Sequence, residues 1–175
     1  MAVLDCIMKR YSVRAYLDKP VENDKLSAVL EAARLAPSAR NCQQLRYVVV
    51  RSKETIKKLC EAANKQAFVG QAPVVIVACA VNLDYVMRCG QTAYPIDTGI
   101  ALEHMALQAA EEGLGTCWIG SFFEDQVKAI LGTPDKCVRV VELMTLGYPA
   151  DKAPEKHRMA VSHVVSEEKW LFPQG

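Results

Sequence analysis

A mixed α+β fold is the class that this sequence predicts, and three observations carry it. Val74-Val75-Ile76-Val77-Ala78-Cys79-Ala80 is an apolar run that follows Pro73; a strand hydrophobic on both faces belongs in the middle of a sheet. Pro95 to Glu112 is rich in Ala, Leu, Met and Gln and closes at Gly113, which is the pattern of one long helix with a glycine C-cap. Around these, helix-like and strand-like segments alternate without repeats, low-complexity stretches or linkers. At 175 residues a single domain over residues 1–175 is expected, large enough to bury a core without disulfides or metal.

The remaining elements follow in order. Val3 to Lys9 suits a short helix. Asn23 or Asp24 is placed to cap a helix from Lys25 to Leu35, with Leu26, Val29, Leu30 and Ala33 on one face and Pro37 to stop it. Leu45 to Val50 reads as a buried strand and Ile56 to Ala63 as a helix. Asp84 to Thr92 is mixed in polarity and reads as a loop or lid. The long helix has apolar positions around much of its circumference, so burial on most sides is expected, as in a central or interface helix. Thr116 to Ile119 is a short strand, Glu124 to Leu131 a helix and Val138 to Leu146 a strand. The tail from about 150 to 175 is polar, regains an apolar alternation at Val161 to Val165, and ends in Trp170-Leu171-Phe172. That aromatic bulk is expected to dock, on a partner subunit or on the chain's own core.

Composition narrows the function. Lys+Arg (21) and Asp+Glu (20) nearly cancel, leaving a formal charge of +1; nucleic-acid binders carry a basic excess, so none is expected as partner. No apolar run reaches the ~20 residues needed to span a bilayer, and the N-terminus has no secretory apolar core, so a cytoplasmic location is expected. The seven cysteines form no C-x-x-C, and the three histidines lack ligand spacing. Small buried hydrophobes is the reading for the cysteines, and neither a metal site nor a disulfide framework is expected.

Four segments carry chemistry. In Arg10-Tyr11-Ser12-Val13-Arg14, an extended backbone turns Arg10, Ser12 and Arg14 to one side. Two guanidiniums and a hydroxyl then face one ligand, suited to phosphate or another anion; a plain solvated run is the simpler alternative. Ala36-Pro37-Ser38-Ala39-Arg40-Asn41-Cys42-Gln43-Gln44 packs Ser38, Asn41 and Gln43 between a helix and a strand. Its donors and acceptors match the edge of a flavin or pyrimidine-like ring, or else satisfy a turn's own backbone. Gly113-Leu114-Gly115-Thr116-Cys117-Trp118-Ile119-Gly120 is not the dinucleotide fingerprint, but its glycines let backbone amides approach a flat ligand. Lys156-His157-Arg158 is a cationic run, either solvated or a phosphate clamp.

Together and in this order, these segments resemble the FMN-dependent nitroreductase family. Arg-x-Ser-x-Arg is similar to its phosphate- and ring-binding signature, and Ala-Pro-Ser-x-x-Asn-x-Gln to its first flavin loop. Asp97-Thr98-Gly99-Ile100-Ala101, the helix it opens, Gly-Leu-Gly-Thr, Leu146-Gly147-Tyr148-Pro149 and Lys-x-Arg continue the pattern, from residue 5 to residue 165.

The resemblance implies a mostly antiparallel central sheet flanked by helices, in an intertwined homodimer with FMN at each subunit interface. By position it implies that Arg10, Lys156 and Arg158 hold the phosphate, with Ser12 near the phosphate or ribityl chain. Arg14 is implied near flavin N1 and C2=O. The partner subunit's Ser38, Asn41 and Gln43 are implied at the ring or side chain, with Asn64 a further ring contact. The Ile119-Gly120 backbone is implied over the flavin, donating an amide to N5. No side-chain nucleophile is needed: NADH or NADPH would reduce the flavin and a nitroaromatic, quinone or similar acceptor would reoxidise it, in ping-pong. The alternatives are a non-catalytic flavin-binding or regulatory module, and another flavin chemistry on the same fold, such as dehalogenation or flavin breakdown. Tyr85, Met87 and Phe123 are candidate pocket walls. Gln43-Gln44 stands where members often carry Gln-Pro, from which a more mobile loop is expected.

Overall fold

The computed structural model describes residues 3–134 and 136–172; the last three residues of the predicted tail lie outside them. Its centre is a four-stranded antiparallel sheet: β1 (Leu45–Val50), β2 (Val74–Ala80), β3 (Gly115–Ile119) and β4 (Arg139–Gly147), in the order β1-β2-β4-β3. The expected α+β class and central antiparallel sheet are what the chain forms. β2 is buried at every residue and hydrogen-bonded on both sides.

Alternation along β2 divides the core into two layers. Val74, Ile76 and Ala78 face one cluster with Leu26, Val29, Leu102 and Met105, from α2 (Asn23–Arg34) and α5 (Ala93–Glu111). Val75, Val77 and Cys79 face the other with Ile56, Leu59, Phe68, Val69 and Val127. That second layer comes from α3 (Lys53–Ala62), α4 (Ala67–Gln71) and α6 (Glu124–Leu131). A short α1 (Asp5–Lys9) precedes them all.

The elements depart from expectation at their ends. α2 starts at Asn23 with Glu22 at the cap position, so neither Asn23 nor Asp24 caps it. α3 begins earlier than predicted because Ser52 caps it, its Oγ accepting the Thr55 N–H at 3.3 Å. α5 begins two residues before Pro95, which sits in the first turn where the missing N–H has no helical partner. α4 was not expected; its five residues are too few to show a period. The Asp84–Thr92 segment is a tight hairpin-like turn with a Val86–Thr92 bridge and Gly90 at φ 86°.

α5 buries one stripe, including Asp97, Ala101, Leu102, Met105 and Ala109, while Ile96 is 40% exposed. Burial on most sides is therefore not achieved within one chain. The apolar alternation at Val161 to Val165 forms a 3₁₀ turn (Val161–His163), and Val161, Val164 and Val165 are exposed. Nor do the terminal aromatics pack on their own core: Trp170 is 75% exposed and meets Phe172 edge to face. Cys79 and Cys117 are buried, as read from the sequence, but Cys89 and Cys137 are exposed because both lie on turns outside the sheet and helices. Among the described residues no helix is long and apolar enough to cross a membrane.

Candidate functional site

The Arg10–Arg14 segment is held by the outer edge of β3. Ser12 bridges Thr116 in parallel, and the Val13 N–H donates to the Thr116 carbonyl at 2.9 Å. Val13 is fully buried and its Cγ2 lies 2.3 Å from where a Cβ at Gly115 would stand. Gly115 is thus the residue that lets the segment sit this close. Burying Val13 turns Ser12 and Arg14 outward, the predicted alternation.

Arg10, Ser12 and Arg14 lie in the segment that runs along the β3 edge. Burial pushes the Cys117 thiol of that strand up, while the Arg14 charge, Ser12 and the Arg10 charge pull it the other way. Arg10 makes an ion pair with Glu103 at 3.5 Å. Lys156 reaches the same end of α1, its amino group donating to the carbonyls of Ile7 (3.0 Å) and Met8. Arg158 is exposed and donates to its own neighbour's carbonyl, His157, at 2.8 Å; in the single chain it is not brought to the Arg10 cluster.

Asp151 organises this region, and sequence reading missed it. One carboxylate oxygen accepts the Tyr11 hydroxyl and the other the Arg14 N–H, each at 3.0 Å. Burial, with Asp151 beside it, pushes the Tyr11 hydroxyl up to about 12. Nothing near Asp151 in sequence marks it, because both partners lie at the other end of the chain.

At the far end of β3, Gly120 is exposed and Ile119 buried. Four residues separate Gly120 from Thr116, about 13 Å along a strand. The turn carrying Asn64, at φ 56°, is fixed beside it: Gln66 Nε2 donates to the Ser121 carbonyl at 3.2 Å and Phe123 N–H to that of Ala62 at 2.8 Å. The β3 edge therefore presents cations at one end and an uncovered glycine backbone at the other. That donor set fits a ligand with a phosphate and a flat ring, as FMN has.

The remaining predicted residues lie elsewhere. Ser38, Asn41 and Gln43 occupy the loop before β1, at the opposite edge of the sheet. Three strand spacings, about 14 Å, separate the two edges. The loop is built on Asp97, only 2% exposed, whose two oxygens accept the Ala39 N–H (3.0 Å) and Gln44 Nε2 (2.7 Å). So Gln44, where family members often carry Pro, ties the loop to α5. Ser38 Oγ accepts the Gln43 N–H at 3.0 Å, satisfying the turn's own backbone. Arg40, Asn41 and Gln43 all take left-handed φ values of 53°, 54° and 48°. A cavity of about 420 Å³ adjoins the loop, lined by Ala36, Pro37, Ser38, Gln43, Leu45 and Ala101 among others.

A central antiparallel sheet with helices on both faces is a fold that known proteins share. The chain belongs to the nitroreductase family, whose model matches residues 7–69 and 60–148. It is 31% identical over 193 residues to a Bacillus subtilis protein named FMN reductase [NAD(P)H], covering 97% of this chain and 74% of that one. It is 35% identical over 189 residues to a Thermus thermophilus NADH dehydrogenase, covering 90% and 92%. A solved nitroreductase family protein from Clostridium difficile superposes with TM-score 0.85 at 35% identity, over 97% of this chain and 99% of that one.

Proposed function

We propose that this chain is an NAD(P)H-dependent FMN oxidoreductase, folded as one domain and working as a homodimer in the cytoplasm. Its acceptor is a nitroaromatic, a quinone or a similar small electrophile. The relatives named FMN reductase and NADH dehydrogenase support the flavin and the nicotinamide donor. One observation of this chain carries the reading. The Arg10–Ser12–Arg14 cluster and Gly120 share one sheet edge, while the Ser38–Asn41–Gln43 loop lies on the other. The sheet itself lies between the two half-sites, which supports a site completed between two copies of the chain.

In that assembly Arg10 and Lys156 hold the phosphate by charge-assisted hydrogen bonds, joined by Arg158 once it turns from its own backbone. Ser12 donates to the phosphate or ribityl chain. Arg14 would sit near the N1 and C2=O edge of the ring, where its fixed positive charge favours negative charge. The exposed Gly120 backbone, next to Ile119, would offer its N–H to N5. Asn64 and the partner subunit's Ser38, Asn41 and Gln43 complete the ring and side-chain contacts. When bound, FMN supplies the hydride-transfer centre, so the protein contributes binding, orientation and electrostatics. The exposed tail valines, with Trp170 and Leu171, cover the other subunit.

The absorption spectrum of the purified protein, before and after anaerobic NADH or NADPH, tests this. Yellow protein bleached by either nucleotide is expected. Yellow protein that neither bleaches favours another electron donor or a flavin-binding module, and colourless protein that takes up no FMN overturns the reading.

A further inference from the structure

Glu142 is an acid in the middle of an apolar strand, preceded by the partly buried Val141 and followed by the fully buried Leu143 and Met144. It lies opposite Ala78, which packs in the α2/α5 layer, so the Glu142 side chain is on that face of the sheet. Gly120 shares the face, because its neighbour Ile119 is buried in the opposite layer. A Cβ placed on Gly120 would stand 3.5 Å from Glu142 Oε1 and 3.6 Å from Oε2. The carboxyl is thus against the backbone assigned above to the reacting edge of the flavin.

No hydrogen bond or ion pair engages it among the described residues. Arg139, on the same strand, pairs instead with Glu124 at 2.9 Å. A half-buried carboxylate with no protein partner is costly to ionise, and only the water on its exposed side offsets that cost. Across the same face, opposite Ala78 on β1, the buried Tyr47 hydroxyl also lacks a partner.

We propose that Glu142 is the proton donor of the acceptor half-reaction, serving a quinone-class acceptor bound beside Gly120. The inference rests on the flavin oxidoreductase reading. A quinone needs two electrons and two protons' worth of hydrogen to become a hydroquinone. The hydride drawn from the reduced cofactor brings both electrons and one hydrogen. The Glu142 O–H bond breaks and its proton joins the acceptor oxygen left negative. The carboxylate then recovers a proton from water, which the half-exposed side chain meets. Burial raises the Glu142 carboxyl above its ordinary range, the direction a proton-holding group needs.

Stopped-flow reoxidation of NADH-reduced holoenzyme tests this with p-benzoquinone and with ferricyanide, which takes single electrons and no proton. In Glu142→Gln the quinone rate is expected to fall by at least about tenfold, since a general acid contributes about 10²–10⁴. The ferricyanide rate and the FMN affinity of the apoprotein, read by flavin fluorescence quenching, should not change. A quinone rate within about twofold of wild type, far below a general acid's contribution, overturns the assignment. So does an equal loss with both acceptors. Should the Gln variant not take up FMN, Glu142→Asp keeps a proton donor. It should retain the full ferricyanide rate with a smaller quinone loss, and an equal loss with both again overturns the role. Wild-type protein that binds no FMN, or is not reduced by NAD(P)H, fails the underlying reading instead.

Discussion

The Arg10 guanidinium pairs with Glu103 at 3.5 Å, with both side chains partly exposed. Such a pair contributes little, which leaves the guanidinium free to favour a phosphate. Arg10→Ala should therefore weaken FMN binding by about 1.5–3 kcal/mol; unchanged affinity in a fluorescence titration of the apoprotein would remove it from the phosphate site. Arg14 does a different job, and Arg14→Ala should keep FMN but slow its reduction by NAD(P)H in anaerobic stopped flow. An unchanged reduction rate would count against that role. Glu142 gives a prediction in pH. Burial raises its pKa in the folded state above the ordinary value of 4.5, so the folded chain holds this proton more tightly than the unfolded one. Stability from this residue is then full below the ordinary value and is lost as pH rises through the folded one. Relative to wild type, Glu142→Gln should gain in urea midpoint as pH climbs from the acid side to neutrality. A difference between the two that stays flat with pH would show that the carboxyl is not perturbed by folding.

At the scale of elements, the loop before β1 depends on Asp97. Three non-glycine residues in left-handed backbone cost about 1 kcal/mol or more each, and the loop keeps that shape because Asp97 accepts from both Ala39 and Gln44. Asp97→Ala leaves two donors without their acceptor and should cost about 2–4 kcal/mol of stability, measured by urea denaturation. FMN affinity should fall too if the loop supplies the contacts proposed for it. A variant with native stability would mean that the loop holds its own shape. On the other edge Gly115 plays the corresponding part: a side chain there would strike Val13 and push Arg10–Arg14 off β3.

For the molecule as a whole, the exposed apolar residues are the guide. Ile7 and Met8 on α1, Ile96 on α5, and Val161, Val164, Val165, Trp170 and Leu171 of the tail all lie open to solvent in one chain. If, as proposed, each flavin site needs both copies of a dimer, removing residues 166–175 should shift it toward monomer and weaken FMN binding. Sedimentation velocity with and without FMN measures it; an undiminished dimer would place the interface on the helices alone.

The sequence by itself determined the elements whose signals are local. β2 is marked by seven consecutive apolar residues, α5 by its helix formers and closing glycine, and the family by its ordered motifs. α4 and the start of α3 were hidden because five residues carry no period and a serine cap resembles any loop serine. Only the tertiary structure decided which residues meet. Ser12 and Val13 meet Thr116 on β3, and Asp151 pins Tyr11 and Arg14 from the far end of the chain. Ser38, Asn41 and Gln43 stand three strands away. Glu142 comes against Gly120 through the pairing of β2, β4 and β3. Periodicity and capping act within a few residues, so they can be read from the chain. Strand register and the bridges of Ser12 to Thr116 and Tyr16 to Pro149 join positions far apart along the chain, and no local pattern encodes them.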